Sequence, residues 1–190
     1  MLAIPRGGVP IGFRVAKALN APLDIVVPRK LPIPEEPEAG FGAVTADGTA
    51  VLNEPLVDQL SLPPSTVDAI VRDVLSEVRR REETYRIVSP RIDLGGRTVM
   101  LVDDGLASGY TMLAAIRHVQ RGGAKKVVVV VPCAPVRSID LVSKEADEVY
   151  CLIRSEEPVF AVASYYQDFR DLSDDEVLSY LRRARMYDAR

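Results

Sequence analysis

The sequence is poor in the residues that build metal or disulfide frameworks. Its 190 residues hold two cysteines, Cys133 and Cys151, and one histidine, His118. No Cys-x-x-Cys pair occurs, so a structural zinc site lacks ligands and a disulfide scaffold is not expected. Both cysteines read as small buried hydrophobes on strands. No apolar run nears the ~18 residues that a membrane span needs. No basic start, apolar middle and small-residue cleavage site marks a secretory leader. Positive charge is not in excess either: the formal net charge is −3, which argues against broad nucleic-acid binding. "RGGVPIG" lacks the Gly-x-Gly-x-x-Gly spacing of dinucleotide sites, and there is no P-loop. These absences leave a cytoplasmic protein with no membrane and no nucleic-acid partner as the expectation.

What is present fits an α/β protein. Apolar residues make up 47% and charged residues 27%, as in ordinary globular chains. The length suits one domain over residues 1–190 with a real core. "MLAIP" reads as a buried strand entering the glycine loop "RGG", and Ile11, Val15, Ala18 and Leu19 mark the face of a following helix. "PLDIVVPRK" reads as a second buried strand. "LPIPEEPEAGFG", residues 31–42, carries three prolines and three glutamates and is expected to be a long loop. Asp47-Gly48 between β-rich runs predicts a hairpin. From Ser65 the apolar positions take helical spacing, with Ser65 and Asp68 resembling a capping box. "RTVMLVDD" and "AKKVVVVVP" are strands flanking a helix over 110–121, and the second, bare of polar residues, implies cover on both faces. A short helix in "RSIDLVSKEA", a strand in "DEVYCLI" and a last helix from Ser173 to about Arg183 complete the alternation. The pattern predicts a doubly wound, Rossmann-like, mostly parallel sheet with helices on both faces.

The stretch "VMLVDDGLASGYT", residues 99–111, concentrates the chemistry. A buried strand ends on Asp103 and Asp104, so both acids face the crevice where such sheets bind ligands. "ASGYT" then opens a helix whose free N–H groups and dipole favour an anion. Gly109 removes a side chain where the backbone must approach closely, and Ser108 and Thr111 add hydroxyls. The loop suits a phosphate monoester. The acids suit ribose hydroxyls, directly or through a hydrated magnesium ion. Alone, paired aspartates at a strand end indicate only some phosphate or metal site.

This stretch resembles the signature of the type I phosphoribosyltransferases: four apolar residues, two acids, three variable positions, then Thr-Gly-x-Thr. Ser108 replaces the first threonine and keeps its hydroxyl. The resemblance implies the type I phosphoribosyltransferase fold and a substrate, phosphoribosyl diphosphate (PRPP), attacked by a small nitrogenous acceptor with release of diphosphate. Gly105, Ala107, Ser108, Gly109, Tyr110 and Thr111 would bind PRPP, and Asp103 and Asp104 would hold the ribose and Mg2+ through water. "IPRGG" resembles the diphosphate loop, giving Arg6, Gly7 and Gly8 the leaving group, and "VVPRK" places Lys30 near it. Residues 31–42 take the position of the mobile lid. Residues 156–190 take that of the hood over the acceptor, where Tyr165, Tyr166 or Phe169 could stack on a flat ring.

Three departures shape the expectation. Ala107 stands where hypoxanthine-guanine enzymes carry an aspartate. The lid segment has no lysine or arginine, only Glu35, Glu36 and Glu38. The chain also starts almost directly on its first strand, where relatives usually have earlier helical residues. A PRPP-binding regulatory domain without turnover therefore stays open beside the transferase, as does a PRPP-independent nucleotide enzyme, and a homodimer is an open option.

Overall fold

A computed structural model describes residues 1–188. The chain runs β1 (Leu2–Ala3), α1 (Gly8–Leu19), β2 (Asp24–Ile25), β3 (Arg29–Ile33), β4 (Glu36–Val44), β5 (Ala50–Leu52), α2 (Glu54–Gln59) and α3 (Pro64–Arg86). It continues with β6 (Thr98–Val102), α4 (Tyr110–Arg121), β7 (Lys126–Pro135), α5 (Val136–Val142), β8 (Glu148–Ser155), a 3-10 turn (Val162–Tyr165) and α6 (Asp174–Asp188). Five strands form a sheet in the order β2-β1-β6-β7-β8, every pair parallel. Val127, Val128, Val129 and Val131 of β7 are buried because helices or neighbouring strands cover them. One core cluster joins Leu101, Val129, Met112 and Ile116 beneath α4. The other joins Phe13, Ile25, Val78 and Leu181 beneath α1, α3 and α6. This is the doubly wound sheet that the alternation predicted. Among the described residues no helix is long and apolar enough to cross a membrane.

The segment expected to be a long loop is a β-hairpin. β3 and β4 pair antiparallel and turn at Pro34–Glu35, and β4 continues through the Asp47-Gly48 hairpin to β5. The prolines are tolerated for separate reasons: Pro32 is on the edge strand β3 at a register irregularity, Pro34 is in the turn, and Pro37 falls among the residues of β4 that the irregularity leaves out of register, where a missing N–H removes little of the ladder. Leu31 and Phe41 are fully buried, which anchors the base of the hairpin while its acidic tip stays exposed. "PLDIVVPRK" accordingly divides between two sheets at Pro28, with β2 in the parallel sheet and β3 in the small one. The small sheet is tied to α4, where Arg121 donates to Thr49 Oγ1 at 3.0 Å and His118 Nδ1 lies 3.1 Å from Asp47 Oδ2. Burial opposes ionisation of Asp47, but hydrogen bonds from Thr45 and Thr49 hold its pKa below the usual range.

The helix ends divide in the same way. α3 starts on Pro64 after Pro63, with no side-chain cap, so Ser65 lies inside the first turn and forms no capping box. Proline at that position is pre-organised for the helix and loses no needed donor. At α6 the box does form: Ser173 N–H donates to Glu176 Oε2 at 2.9 Å and Glu176 N–H to Ser173 Oγ at 3.2 Å. α6 then runs past Arg183 to Asp188.

The open end of β2 is closed by one buried charge. Asp24, 2% exposed, accepts Arg86 Nη1 at 2.5 Å and Ser89 Oγ at 3.1 Å on Oδ1, and the Ile92 N–H at 3.1 Å on Oδ2. Arg86 Nη2 also donates to the Ile25 carbonyl at 3.1 Å. The carboxylate thereby folds residues 86–92 across the sheet edge. Arg86 Nε also donates to Glu82 Oε1 at 3.0 Å. Asp24→Ala therefore leaves the guanidinium one carboxylate but strands the Ser89 hydroxyl and the Ile92 N–H, and it is expected to lower stability by about 1–3 kcal/mol. Chemical denaturation checks this.

Candidate active site

β1 and β6 are neighbours in the sheet, but their chains leave in opposite directions, one through α1 to β2 and the other through α4 to β7. Their carboxyl ends therefore bound the crevice where strand order reverses. Arg6-Gly7-Gly8 follows β1 and Asp103-Asp104 follows β6, so the two loops meet there. The contact is close. A Cβ on Gly7 would lie 1.7 Å from Asp104 Oδ2, and one on Gly8 would lie 2.7 Å from the Val102 carbonyl and 2.9 Å from Asp103 Cα. At Gly8 the obstacle is backbone, so only glycine fits; at Gly7 it is the Asp104 side chain, which a methyl group would push aside. The Pro5–Arg6 peptide is cis.

The two acids are half-buried, and Asp103 Oδ1 accepts the Asp104 N–H at 2.8 Å. Burial and the adjoining Asp104 charge push the Asp103 carboxyl well above its usual range, and burial raises Asp104 as well. A positive charge placed between the two acids would offset their repulsion. Among the described residues no group of three or more His, Cys, Asp or Glu side chains could hold a metal. Two carboxylates alone fit an ion that keeps several waters and takes other oxygens from a substrate.

Beyond the acids, Ala107 and Ser108 are exposed and Gly109, at φ 88°, caps α4 with no side-chain cap bond. The first amides of α4 are therefore open to an anion. The Ala107 carbonyl accepts Ser138 Oγ at 2.6 Å, which pins this loop to the start of α5. A cavity of about 900 Å3 opens beside it, lined in part by Ala107, Ser108, Tyr110, Arg137, Ser138 and Phe160. Anion donors thus stand next to carboxylate acceptors, an arrangement suited to a phosphorylated polyol.

The segment after β8 folds over this crevice. Tyr166 Oη donates to the Asp104 carbonyl at 2.6 Å, and burial with the nearby Asp104 charge pushes its phenol pKa up. Its ring meets Phe169 at 5.2 Å, while Tyr165 packs on Phe160 at 5.1 Å. A Cβ on Gly105 would strike Val162 at 2.8 Å. Arg6 Nη2 lies 3.8 Å from Asp171. The structure thus brings Arg6, Gly7, Gly8, Asp103, Asp104, Gly105 and Tyr166 together. Tyr165 meets the cavity wall through Phe160. Lys30 is placed differently: its Nζ donates to the Glu38 carbonyl and lies 3.8 Å from the Glu38 carboxylate, across the hairpin. Cys133 is buried beneath the Asp104 carbonyl, and burial pushes its thiol up to about 11, so it is the inert core residue expected. Ser138, Phe160 and Asp171 escaped sequence reasoning. Only Ser138 had a signal, since it follows the carboxyl end of the strand beside β6.

Two outcomes follow from this geometry. Gly7→Ala should displace the Asp104 carboxylate and abolish ligand binding, as read by calorimetry. Between the ordinary aspartate pKa and the raised one, the folded chain holds protons that the unfolded chain has released, so stability from this source falls as pH rises. The side chain introduced by Asp103→Asn cannot ionise, and its amide oxygen can still accept the Asp104 N–H. This variant should therefore melt above the parent at about pH 8 and match it near pH 3.5. Thermal denaturation across that range checks the sign.

The family model described as phosphoribosyl transferase domain matches residues 45–168. A Mycobacterium tuberculosis protein provisionally named a phosphoribosyl transferase is 45% identical over 184 residues, covering 97% of this chain and 41% of that protein. This chain thus spans about two fifths of that relative's length. The uracil phosphoribosyltransferase of Streptomyces griseus is 36% identical over 72 residues, 38% of this chain and 34% of that enzyme. The crystal structure of Thermus thermophilus TT1426 superposes with a TM-score of 0.78 at 36% identity, covering 96% of this chain and 86% of that one. With its fold, crevice and matched segment in agreement, the chain belongs to the phosphoribosyl transferase domain family.

Proposed function

We propose that the protein transfers the ribose 5-phosphate of PRPP to a nitrogenous acceptor, with release of diphosphate. The observation that carries this reading is the contact of the Arg6-Gly7-Gly8 loop with Asp103-Asp104 at the switch point, beside the open N-terminus of α4. Ser108, Thr111 and the first α4 amides would hold the 5-phosphate, with Gly109 permitting its close approach. Asp103 and Asp104 would accept the ribose hydroxyls. Arg6 and the amide of Gly7 would receive the diphosphate, while Gly8, whose N–H donates to the Ile4 carbonyl at 3.0 Å, would hold the turn.

In the reaction, a lone pair on the acceptor nitrogen forms a bond to the anomeric carbon as the bond to the diphosphate oxygen breaks, with inversion. Negative charge grows on the leaving group, where fixed donors lower the barrier most. Binding at the 5-phosphate holds the reacting carbon in line. The Asp103–Asp104 pair would hold Mg2+ through water, and that ion supplies charge neutralisation at the diphosphate when bound. Tyr166, fixed on the Asp104 carbonyl, would help wall the crevice from water, and Phe160 and Tyr110, which line the cavity, would offer an acceptor aromatic faces.

One observation favours a second reading, a PRPP-binding regulator without turnover. Lys30 is engaged with Glu38, and Glu35, Glu36 and Glu38 leave the hairpin tip without positive charge for a leaving group. Calorimetry with PRPP and magnesium separates the cases. Each carboxylate contributes hydrogen bonds worth ~1.5–3 kcal/mol, so Asp103→Asn and Asp104→Asn should each weaken PRPP binding about 10- to 150-fold. Diphosphate release with any member of a panel of bases supports the transferase. Binding without release across the panel supports the regulator, and no PRPP binding removes both.

A further inference from the structure

The two edges of the parallel sheet are built differently. β2 has two residues, and Arg86 Nη2 covers its outer Ile25 carbonyl. β8 has eight, "EVYCLIRS", with no proline, glycine or lysine, and it is last in the strand order. Soluble proteins guard such edges with charge, proline or cover. Here Tyr150 is 57% exposed and Leu152 87%, and both point to one face of the sheet. Glu148 shares that face, since Tyr150 Oη donates to its carboxylate at 2.8 Å. Arg154, also exposed, follows by the same alternation. Val149 and Cys151 alternate to the other face and pack on the core.

Read from either end, this face is self-complementary. It runs acid, aromatic, aliphatic, base, centred on Cys151. If a second copy pairs antiparallel about a two-fold axis at Cys151, Glu148 faces Arg154 of the second copy and Tyr150 faces its Leu152. Directly opposed residues in an antiparallel pair share a face, so only registers differing by two residues are allowed. Sliding two residues one way sets Glu148 against Leu152, and the other way against Glu156. The centred register is the one that matches both charges and both apolar groups. Lys126 also pairs with Glu148 from β7, which leaves the carboxylate's position fixed before any partner arrives.

We propose that β8 is a dimerisation edge, through which two copies of this chain join their sheets into one continuous ten-stranded sheet across an isologous interface. The proposal does not depend on the activity. The active-site loops lie at β1 and β6, inside the sheet, while the contact uses its far edge.

Sedimentation velocity on the full chain tests it. The parent is expected to be a dimer. Arg154→Glu places like charges opposite each other twice across the axis, and Leu152→Asp removes both aromatic–aliphatic pairs. Each should weaken dimerisation about tenfold or more, with unchanged circular dichroism because both side chains are exposed. Ile87→Asp alters an apolar residue that is 79% exposed elsewhere, after α3, and should leave the dimer intact. A monomeric parent overturns the proposal and leaves the strip to another partner or to further segments of a longer chain. A dimer that survives both β8 substitutions, or that Ile87→Asp also breaks, overturns it equally.

Discussion

The site depends on the loop after β1 approaching the end of β6 more closely than side chains permit. Gly7 and Gly8 lie against Asp104, the Val102 carbonyl and Asp103 Cα at distances that even a methyl group would violate. This contact brings the end of β1 and the end of β6 to a common crevice. The chemistry of the site follows from that proximity, because anion donors and hydroxyl acceptors then stand within one small molecule's length.

The protein treats its buried acids in two opposite ways. Asp24 is saturated with donors from Arg86, Ser89 and Ile92, and its charge closes a sheet edge. Asp103 and Asp104 repel one another in a partly desolvated crevice, and their carboxyls are raised. Unrelieved charge of this kind opposes folding, which is a common mark of residues kept for binding. The same contrast separates the sheet's two edges, one short and capped, the other long and bare.

Much of the chain beyond the parallel sheet serves to enclose the crevice. The small antiparallel sheet sends Ala43 and Val51 into one core cluster and Leu31 and Phe41 into the other, so its base is fixed. The segment after β8 is held by Tyr166 on the Asp104 carbonyl and by Val162 against Gly105. The family match runs from residue 45 to residue 168. The β3–β4 hairpin and α6 thus lie outside the segment that this chain shares with the family model.

The sequence by itself determined the order of the large elements, the carboxyl-end position of Asp103 and Asp104, and the glycine loop of α4. Each of these depends on local periodicity or on spacing along a single strand-to-helix turn. It also determined the capping box of α6, because Ser173 and Glu176 are three residues apart and need nothing else. It misread residues 31–42, since proline argues against a strand only where every N–H is needed, and edge position is a property of the sheet. Ser65 failed as a cap for a similar reason: the neighbouring prolines, not the hydroxyl, start α3. Tertiary structure alone decided that Gly7 and Gly8 touch the acids, that Lys30 turns to Glu38, and that Ser138, Phe160 and Tyr166 reach the crevice. Those facts depend on which strands lie side by side, and no local pattern in the chain records that.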